Sequence, residues 1–454
     1  MRVSIVGTGY VGLVSGVCLA DKGHDVVCVD VVREKVERIN AGEPPIYEAG
    51  LAPMLQRLVA SKKLVASLDL EQSVIHSDLT MIAVGTPFDG YAIDLTYIRE
   101  VARQIGRALA NKDGYHVVIV KSTVVPGTTE EVVLPLLEQH SGKKAGRDFG
   151  VGMNPEFLRE GEAIADFMQP SRIVLGGIDD RSRDVLGQLY ECFPAVDKLH
   201  TSPRTAEMIK YAANSLLATL ISFANEIGNL CMKVGDVDVV EVLRGVCLDT
   251  RFSPILADGT RIKPQMTNYV AANSGFGGSC FPKDVKALIE YGERKNSSMR
   301  LLRAVIDTNQ DQPNRLIELI EKHHPDVAGL RIAVLGLAFK AGTDDVRESP
   351  ALPLVRQLRA KGAKLRAFDP VAQQTGQAEL GSVGIEYSHS LSECVADAEV
   401  VVAVTAWPEF RDLPKILATM GADPLVVDGR RMFRIGEFAR YEGIGFQTLP
   451  ADGA

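Results

Sequence analysis

A glycine-rich turn near residue 7 constrains the fold of this chain more than any other stretch of the sequence. An apolar segment at residues 3–6 (VSIV) precedes the turn GTGYVG at residues 7–12, and an apolar helical pattern follows up to Lys22. A second apolar segment at residues 26–29 then ends in Asp30. Strand, glycine turn, helix, strand and acidic residue in this order are typical of a doubly wound, dinucleotide-binding α/β domain.

Each part of this pattern has a physical reason. The glycines allow a tight turn and a close approach of the backbone to a pyrophosphate, and the helix N-terminus behind them favours anions. A carboxylate at the end of the second strand accepts the ribose hydroxyls and repels a 2′-phosphate, so Asp30 favours NAD over NADP. Arg33 and Lys35 weaken this preference, because either side chain could contact a phosphate.

Two further apolar segments, at residues 79–84 and 116–120, are each followed by small polar residues. In a doubly wound sheet these positions are the carboxyl ends of strands, where ligands bind. Thr86, Ser122 and Thr123 are therefore candidate contacts for the cofactor or substrate. The alternative is that their hydroxyls only cap turns.

Length and composition exclude several classes of protein. A chain of 454 residues predicts two or three domains, and the net charge of -8 without long basic runs argues against nucleic acid as a partner. The seven cysteines are odd in number and form no C-x-x-C pair, which argues against a disulfide framework or a cysteine zinc site. Neither an export signal nor an apolar run of membrane-spanning length is present, so we expect a cytoplasmic protein without membrane attachment.

The C-terminal part of the sequence repeats the pattern of the N-terminal part. Residues 331–336 predict a strand, residues 349–361 a helix, and residues 364–368 a strand that ends at Asp369. The segment LAFKAG at residues 337–342 replaces the glycine fingerprint. This second α/β unit is therefore expected to bind a different, nucleotide-like ligand.

The middle of the chain predicts one long helix and one long loop. Residues 204–234 contain no proline and have apolar residues at helical spacing, which predicts a helix long enough to join two domains and to present a dimer face. Lys210 and Asn214 lie one turn apart on it. A solvated lysine is the default interpretation. Residues 248–273 contain two prolines and two arginines and predict an irregular loop whose basic residues could bind a phosphorylated substrate.

The segment FGGSCFPKD at residues 276–284 is the strongest candidate for chemistry. Its glycines permit close approach to a ligand, and Asp284 is a candidate N-cap for a helix at residues 285–291. Cys280 would then lie near a helix N-terminus, which favours the nucleophilic thiolate. A buried structural cysteine is the alternative. A dehydrogenase that stops at a carbonyl needs no thiol, whereas one that continues to an acid does.

Two glutamates follow a predicted strand that ends near residue 153. Glu156 and Glu160 are four residues apart, so they would share one face if the segment were helical. A pair of ordinary surface glutamates is the alternative.

Six stretches of the sequence resemble the UDP-glucose/GDP-mannose dehydrogenase family. They are residues 7–12, 154–161, 207–214, 276–284, 336–350 and 428–430. The resemblance extends over essentially the whole chain. It implies an α/β fold of two Rossmann-like doubly wound domains, joined by a long central helix and a small helical domain. It also implies oxidation of a sugar C6 alcohol to a uronic acid in four electrons, with two NAD consumed.

The resemblance also implies roles for individual residues. Cys280 resembles the family's nucleophile, which forms a thiohemiacetal and then a thioester, and Lys210 with Asn214 resembles the group that stabilises the oxyanion. Asp284 and Glu156 resemble acids that handle water and protons. With the residues inferred above, the predicted catalytic set is Cys280, Lys210, Asn214, Asp284, Glu156, Glu160 and Thr123.

The predicted binding residues form two further sets, and no metal is expected. The cofactor contacts are Gly7, Gly9, Tyr10, Val11, Gly12, Asp30, Lys35, Thr86, Ser122, Thr123, Glu160 and Arg347. The substrate contacts are Glu156, Phe157, Leu158, Lys210, Asn214, Tyr269, Phe276, Gly277, Lys340 and Arg430.

The resemblance leaves the sugar and one arginine open. Motifs at residues 47–51, 170–174, 405–407 and 428–430 resemble the UDP-glucose branch, and residues 141–152 resemble the GDP-mannose branch. We expect UDP-glucose, with GDP-mannose or a UDP-N-acetylhexosamine as alternatives. Family members usually have an arginine before the cysteine that reaches a neighbouring subunit's site, but neither Arg251 nor Arg261 stands at the usual spacing.

Other classes of function also fit parts of the sequence. A two-electron dehydrogenase of the hydroxyacyl or phosphogluconate kind, or a redox-silent NAD-binding sensor, would explain the glycine turn and the long helix but not the Cys280 loop. We expect three domains, at residues 1–200, 201–325 and 326–454, and a homodimer formed through the long helix.

Overall fold

A computed structural model describes residues 1–447 of the chain. Residues 448–454, the end of the third expected domain, lie outside the described residues. The contacts within the chain divide it into two compact units, with the boundary between Ala213 and Asn214. The three domain boundaries expected from the sequence therefore remain a prediction.

The first unit is built on an eight-stranded sheet within the described residues. The strand order is β3-β2-β1-β4-β5-β6-β7-β8, and every neighbouring pair is parallel except β6 and β7. The strands are β1 (Arg2–Val6), β2 (Asp25–Val29), β3 (Leu64–Ser67), β4 (Leu79–Ile82), β5 (His116–Val120), β6 (Phe149–Met153), β7 (Ile173–Gly177) and β8 (Lys198–Thr201).

The connections between these strands are mostly helical. They are α1 (Tyr10–Asp21), α2 (Arg33–Asn40), α3 (Leu51–Ala60), α4 (Leu70–Ile75), α5 (Thr96–Ala110), α6 (Leu134–Ser141), α7 (Ala163–Met168) and α8 (Asp180–Leu189), with a π-helical turn at Thr129–Val133 before α6.

Apolar side chains cover both faces of this sheet. Ile5 and Ile119 belong to one buried cluster, whereas Val6 and Val120 belong to another. Because successive side chains of a strand point to opposite faces, the two clusters lie on opposite sides of the sheet. Strands buried on both faces appear as continuous apolar runs, which is why the sequence predicted them.

A single helix crosses the boundary between the units. Helix α9 (Pro203–Val234) has 32 residues and agrees with the helix predicted at residues 204–234. It is the one helix in the described part of the chain that is long and apolar enough to span a membrane. Half of its most apolar window is buried within the protein, as in the core helix of a soluble protein, so this evidence for a membrane span is weak.

The second unit contains a six-stranded parallel sheet within the described residues, in the order β11-β10-β9-β12-β13-β14. The strands are β9 (Arg331–Leu335), β10 (Lys364–Phe368), β11 (Ile385–Tyr387), β12 (Val400–Ala403), β13 (Leu425–Asp428) and β14 (Tyr441–Gly443). The helices are α10 (Val239–Cys247), α11 (Phe281–Arg294), α12 (Arg300–Glu321), α13 (Ala351–Ala360), α14 (Gln373–Leu380), α15 (Leu391–Val395) and α16 (Leu413–Met420), with 3-10 turns at Gln265–Tyr269 and Pro408–Asp412.

The second sheet repeats the first six strands of the first sheet. In both sheets the first strand pairs with the second and the fourth, which is the order of a doubly wound nucleotide-binding fold. Gly7 and Gly336 occupy equivalent turns, with φ of +100° and +95°, and their N–H groups donate to Val29 and Phe368 over 2.8 Å. The prediction of two Rossmann-like domains and a long central helix is confirmed.

One local prediction was wrong. The helix after Cys280 begins at Phe281 and not at residue 285, so Asp284 lies in its first turn and Cys280 takes the N-cap position. The shared face of Glu156 and Glu160 was conditional on a helix, and the condition is not met, because the segment after β6 is irregular as far as residue 159. The loop at residues 248–273 is irregular as predicted, apart from the 3-10 turn and one bridge between Ile255 and Arg261.

Candidate active site

The turn between β1 and α1 provides space for a pyrophosphate. A Cβ atom at Gly7 would lie 2.7 Å from the Ala83 oxygen, and one at Gly12 would lie 1.9 Å from the Gly7 oxygen. No heavy atom lies within 4 Å of the Cβ position of Gly9. Gly7 and Gly12 are therefore required by the turn itself, whereas the open space at Gly9 suits a phosphate at the N-terminus of α1.

Asp30 lies at the end of β2 and is anchored to the same turn. Its carboxylate accepts hydrogen bonds from the Thr8 N–H (2.9 Å) and hydroxyl (2.5 Å) and from the Val32 N–H (3.0 Å). Burial tends to raise its pKa, but these hydrogen bonds and the charge of Lys35 outweigh burial and lower the pKa below its ordinary value. Asp30 is thus held as an anion, as recognition of ribose hydroxyls requires.

The hydroxyls at the ends of β4 and β5 hold the backbone. Thr86 donates to the Thr123 carbonyl over 2.7 Å, and Ser122 donates to the Val84 carbonyl over 2.7 Å. The turn-capping role considered from the sequence is therefore present. Their placement at the carboxyl edge of the sheet also leaves the predicted role as ligand contacts open.

A buried ion pair lies between the segment after β6 and helix α9. The Lys210 ammonium is 2.8 Å from the Glu156 carboxylate, and the two side chains are 3% and 5% exposed. Burial raises the pKa of Glu156, but the charge and hydrogen bond of Lys210 and the Leu158 N–H together have a larger, opposite effect. The pKa of Glu156 is therefore below its ordinary value. The Phe157 ring lies 5.6 Å from the Lys210 ammonium and 3.8 Å from the Arg172 guanidinium.

A second carboxylate fixes the far end of the same segment. The Glu48 carboxylate accepts hydrogen bonds from the Gly161 and Ala163 N–H groups, both over 2.8 Å, and from the Tyr10 hydroxyl. Burial raises the pKa of Tyr10 most, and the hydrogen bond to Glu48 raises it as well. The charge of Glu160 makes a smaller contribution in the same direction. Tyr10 and Val11, which begin α1, are thereby linked to the segment that carries Glu156 and Glu160.

In the second unit, Cys280 lies at the N-terminus of α11. Its side chain is partly exposed, and its sulfur is 3.6 Å from the Ser279 hydroxyl. One turn further, the buried Asp284 accepts from the Asn214 amide over 2.6 Å and pairs with the Lys283 ammonium at 2.7 Å. Cys280 and Asp284, predicted as catalytic from one motif, and Asn214, predicted from another, therefore belong to one local cluster.

The glycines before Cys280 are enclosed by neighbouring backbone and an aromatic ring. A Cβ atom at Gly277 would lie 2.3 Å from the Glu348 oxygen, and one at Gly278 would lie 2.7 Å from the Phe339 ring. Phe276 packs in a buried cluster, with its ring 5.9 Å from that of Phe281. These glycines are needed for packing within the unit, which fixes the loop conformation that carries the cysteine.

The remaining predicted binding residues lie in or near this unit's loops. Tyr269 ends the 3-10 turn and has its ring 6.3 Å from that of Phe281. Lys340 is partly buried, with its ammonium 5.9 Å from the Phe339 ring. Arg347 pairs with Asp345 at 2.8 Å, and its carbonyl accepts from the Gly278 N–H.

Arg430 connects the ends of three segments of the second sheet. Its guanidinium donates to the carbonyls of Val404 (2.6 Å) and Phe339 (2.9 Å), and its N–H donates to Asp428 (2.9 Å). Burial lowers its pKa to about 10. Arg430 therefore organises the strand ends, in addition to the substrate contact predicted for it.

The two arginines of the long loop differ in their surroundings. Arg251 pairs with Asp249 at 2.6 Å near the solvent, whereas the Arg261 guanidinium donates to the carbonyls of Leu248 (2.7 Å) and Ser253 (2.9 Å). Arg261 thus stabilises the loop itself.

Three polar residues of the first unit were not predicted as site residues. Glu48 anchors the segment after β6, Lys121 lies buried beside Asn154, and Glu207 accepts from the Gly127 and Thr129 N–H groups. Their positions in apolar or weakly patterned segments gave no periodic signal. A charged residue at the end of a buried strand, as Lys121 is, was the one available indication.

The glycine turn, the acidic residue at the end of β2 and the strand order are those of a dinucleotide-binding domain of the dehydrogenase class. Models of the UDP-glucose/GDP-mannose dehydrogenase family match the chain as the NAD binding domain at residues 1–194, the central domain at residues 204–311 and the UDP binding domain at residues 333–435. The chain belongs to the UDP-glucose/GDP-mannose dehydrogenase family. This membership confirms the family resemblance and the prediction of NAD as cofactor.

Individual relatives carry more than one substrate name. The chain is 40% identical to the UDP-glucose 6-dehydrogenase AglM of Haloferax volcanii, covering 99% of this chain and 100% of that protein. It is 39% identical to the GDP-mannose 6-dehydrogenase of Pseudomonas putida, covering 98% and 100%. A UDP-glucose dehydrogenase from Pyrobaculum islandicum has a similar structure, with a TM-score of 0.88, 40% identity and 98% coverage of both chains. Overall identity therefore does not select the sugar.

Proposed function

We propose that the protein oxidises UDP-glucose to UDP-glucuronate in four electrons, with Cys280 as the covalent nucleophile. The observation that carries this proposal is the partly exposed thiol at the N-terminus of α11, one turn before a buried Asp284 that Asn214 holds in place. A redox-silent sensor or a two-electron dehydrogenase has no use for this arrangement. The balanced reaction converts one C6 alcohol, one water and two NAD⁺ into one carboxylate, two NADH and three protons.

The chain's own groups would act in sequence on the sugar carbon. NAD supplies the hydride acceptor for both oxidations. Lys210 stabilises negative charge on the C6 oxygen while the first proton leaves. The Cys280 sulfur then adds to the aldehyde carbon to give a thiohemiacetal, which the second oxidation converts into a thioester. Water, oriented by Asp284 or Glu156, cleaves the C–S bond and releases the acid and the thiol.

The second α/β unit would bind the nucleotide of the substrate. Its turn after β9 lacks the glycine fingerprint, and the family's UDP binding domain covers residues 333–435. Lys340 and Arg430 would contact the phosphates or ribose, and the loop at residues 248–273 would close over them. The motifs that resemble the UDP-glucose branch favour this sugar over GDP-mannose and UDP-N-acetylhexosamines. We infer a cytoplasmic enzyme, in keeping with seven cysteines that all lie in the described residues and form no disulfide.

The stoichiometry of NADH tests the reaction class. The purified protein would be incubated with NAD and one nucleotide sugar at a time: UDP-glucose, GDP-mannose or a UDP-N-acetylhexosamine. Two NADH per UDP-glucose, with the highest kcat/KM for this sugar, is the expected result. One NADH would identify a two-electron dehydrogenase, and no NADH with any sugar would leave only a binding function.

The role of Cys280 can be tested by trapping the acyl intermediate. Cys280→Ser supplies an oxygen that is un-ionised at neutral pH and forms an ester that hydrolyses far more slowly. We expect a mass increase of one UDP-glucuronyl group on the variant and little steady-state turnover, while Cys280→Ala gives at most slow aldehyde formation. Cys247→Ser, at another partly exposed cysteine, is the matched control and should behave like the wild type. Release of the acid at near wild-type rate by either Cys280 variant would exclude the covalent mechanism.

A further inference from the structure

A third buried charge lies beside the Lys210–Glu156 pair. Lys121 directly follows β5, and its side chain is only 3% exposed. Its ammonium donates to the Asn154 side-chain oxygen over 2.8 Å. An ammonium withdrawn from water is costly unless hydrogen bonds or opposite charges compensate, so this placement requires an explanation.

The partner of Lys121 is itself fixed by three strands. Asn154 follows β6, its N–H donates to the Val120 carbonyl over 2.9 Å, and its side-chain amide donates to the Val174 carbonyl of β7 over 2.8 Å. The Tyr190 hydroxyl also donates to the Asn154 side-chain oxygen. Lys121 and Asn154 therefore close the carboxyl ends of β5, β6 and β7 immediately before the segment that carries Glu156.

Electrostatics link Lys121 to Glu156 as well. Burial lowers the Lys121 pKa to about 8, and the Glu156 charge opposes that shift while the Lys210 charge adds to it. In turn, Lys121 contributes to the lowered pKa of Glu156, after Lys210 and the Leu158 N–H. The buried Glu156 carboxylate is thus paired with the Lys210 ammonium of α9 and also interacts with the charge of Lys121 at the end of β5, and the Arg172 guanidinium lies over the adjacent Phe157 ring.

We propose that Lys121 is a positioning residue for the oxidation described under Proposed function, on which this inference rests. It acts through Glu156 and Asn154 and does not touch the substrate. Through Asn154 it fixes the segment that carries Glu156. Through its charge it adds to the effect of Lys210 on Glu156, and it leaves the buried cluster with an excess of positive charge that favours an anionic C6 oxygen near Lys210.

The kinetic test compares two buried lysines in the segments before and after β5. Lys121→Met keeps most of the side-chain volume and removes the charge. Lys112→Met is the matched control, because Lys112, in the segment before β5, is also buried and its ammonium donates to the backbone carbonyls of Ile75 (2.6 Å) and Ser77 (2.7 Å). Both variants would be assayed for kcat, for KM of NAD and sugar, and for the pH dependence of kcat.

We expect Lys121→Met to lower kcat by about tenfold or more, with a smaller change in KM. The acid limb of its pH profile should move to higher pH, because Glu156 loses a positive neighbour and its pKa rises. Lys112→Met should retain the wild-type profile. If the two variants gave the same kcat and the same acid limb, Lys121 would have only a structural role and the inference would be wrong.

A second measurement does not depend on turnover. In a double-mutant cycle on Tm, Lys121→Met should lower Tm by less in the Glu156→Gln background than in the wild type, because the Glu156 charge with which Lys121 interacts is gone. Lys112→Met should cost the same in both backgrounds. Additive effects for Lys121 would overturn the inference even if the enzyme oxidises UDP-glucose. If no nucleotide sugar is oxidised, the proposed function fails, and non-additivity would still show the coupling of Lys121 to Glu156.

Discussion

The buried pair of Lys210 and Glu156 is more informative about function than about stability. Two charges that are taken out of water together gain little net stability, because desolvation opposes their attraction. Ionisable groups with perturbed pKa values in a ligand-binding region are, however, typical of catalytic sites. The default interpretation of Lys210 as a solvated lysine is excluded by its 3% exposure.

Lys210→Ala should lower kcat much more than it raises KM. The loss of a preorganised group that stabilises an oxyanion typically costs a factor of about 10²–10³ in kcat, or ~3–4 kcal/mol. Steady-state kinetics with UDP-glucose and NAD would measure both constants. The control is Lys233→Ala, at an exposed lysine in the last turn of α9. A change in KM alone would make Lys210 a binding residue.

Asp30 should set the preference for NAD over NADP. Its carboxylate is held at the end of β2 by Thr8 and Val32, where it would repel a 2′-phosphate. We expect the wild type to have a much higher kcat/KM with NAD than with NADP. Asp30→Ala should lower the ratio of these two kcat/KM values. Asp25→Ala, at the exposed amino end of the same strand, should leave the ratio unchanged. Equal use of both cofactors by the wild type would contradict this role.

Local chemistry decides which site residues a sequence can predict. The glycine turn and Asp30 belong to one continuous motif, so their spacing alone indicates their function. Glu48 and Lys121 act on a segment more than thirty positions away, through contacts that only the folded sheet creates. No periodicity or motif in the chain carries that information.

At the scale of elements, buried strands were predictable and the edges of the first sheet were not. Strand β5 is buried throughout and forms an uninterrupted apolar run, whereas β8 at the sheet edge is half exposed and mixed in composition. The expectation that Asp284 is the N-cap places the start of α11 four residues too late, because it overlooks Pro282. Proline is favoured in the first turn of a helix, since its missing N–H has no partner there, and that is where Pro282 lies.

Strand β5 contains a histidine that should make the protein sensitive to acid. His116 is buried, and its ring nitrogens contact the Thr80 hydroxyl (2.8 Å) and the Ser77 carbonyl (3.2 Å). Burial lowers its pKa from 6.5 to about 3. Between these values the unfolded chain binds a proton that the folded chain does not, so stability is lost as pH falls, by up to ~1.4 kcal/mol per pH unit.

Substitution of His116 should remove part of this pH dependence. We expect the free energy of unfolding of His116→Gln to fall less steeply between pH 6.5 and pH 4.5 than that of the wild type, even if the variant is less stable overall. Denaturant unfolding at several pH values would measure the slope. His200→Gln, at an exposed histidine of β8, should follow the wild type. Parallel slopes for His116→Gln and the wild type would show that His116 titrates normally in the fold.

At the scale of the whole molecule, the two sheets share one strand order but differ at the turn after the first strand. The equivalent of Asp30 in the second unit, Asp369, accepts from the Leu337 and Ala338 N–H groups and from the Trp407 indole. A carboxylate with these partners stabilises its own turn and is poorly suited to hold a ribose. The repeat was recognisable in the sequence, and the missing glycines correctly indicated a different ligand for this unit, in agreement with its match to a UDP binding domain.

A row of exposed apolar residues on α9 leads to a prediction about assembly. Leu216, Phe223 and Leu230 recur every seven residues and are 54%, 48% and 57% exposed in the single chain. A stripe of large apolar side chains along one helix face is unfavourable in water, and a symmetric pair of such helices would bury it. We therefore propose that a second copy of the chain covers this face, as expected from the sequence.

Replacing two residues of this stripe by acids should separate the copies. Phe223→Glu combined with Leu230→Glu would place like charges opposite each other across a twofold interface, because an isologous contact brings the same surface patches together. Light scattering during size-exclusion chromatography should give a dimer mass for the wild type and a monomer mass for this variant. Val383→Glu, at an apolar residue that is 84% exposed outside α9, should remain dimeric. A wild-type protein that runs as a monomer, or a double variant that still runs as a dimer, would show that α9 is not the surface through which the chains associate.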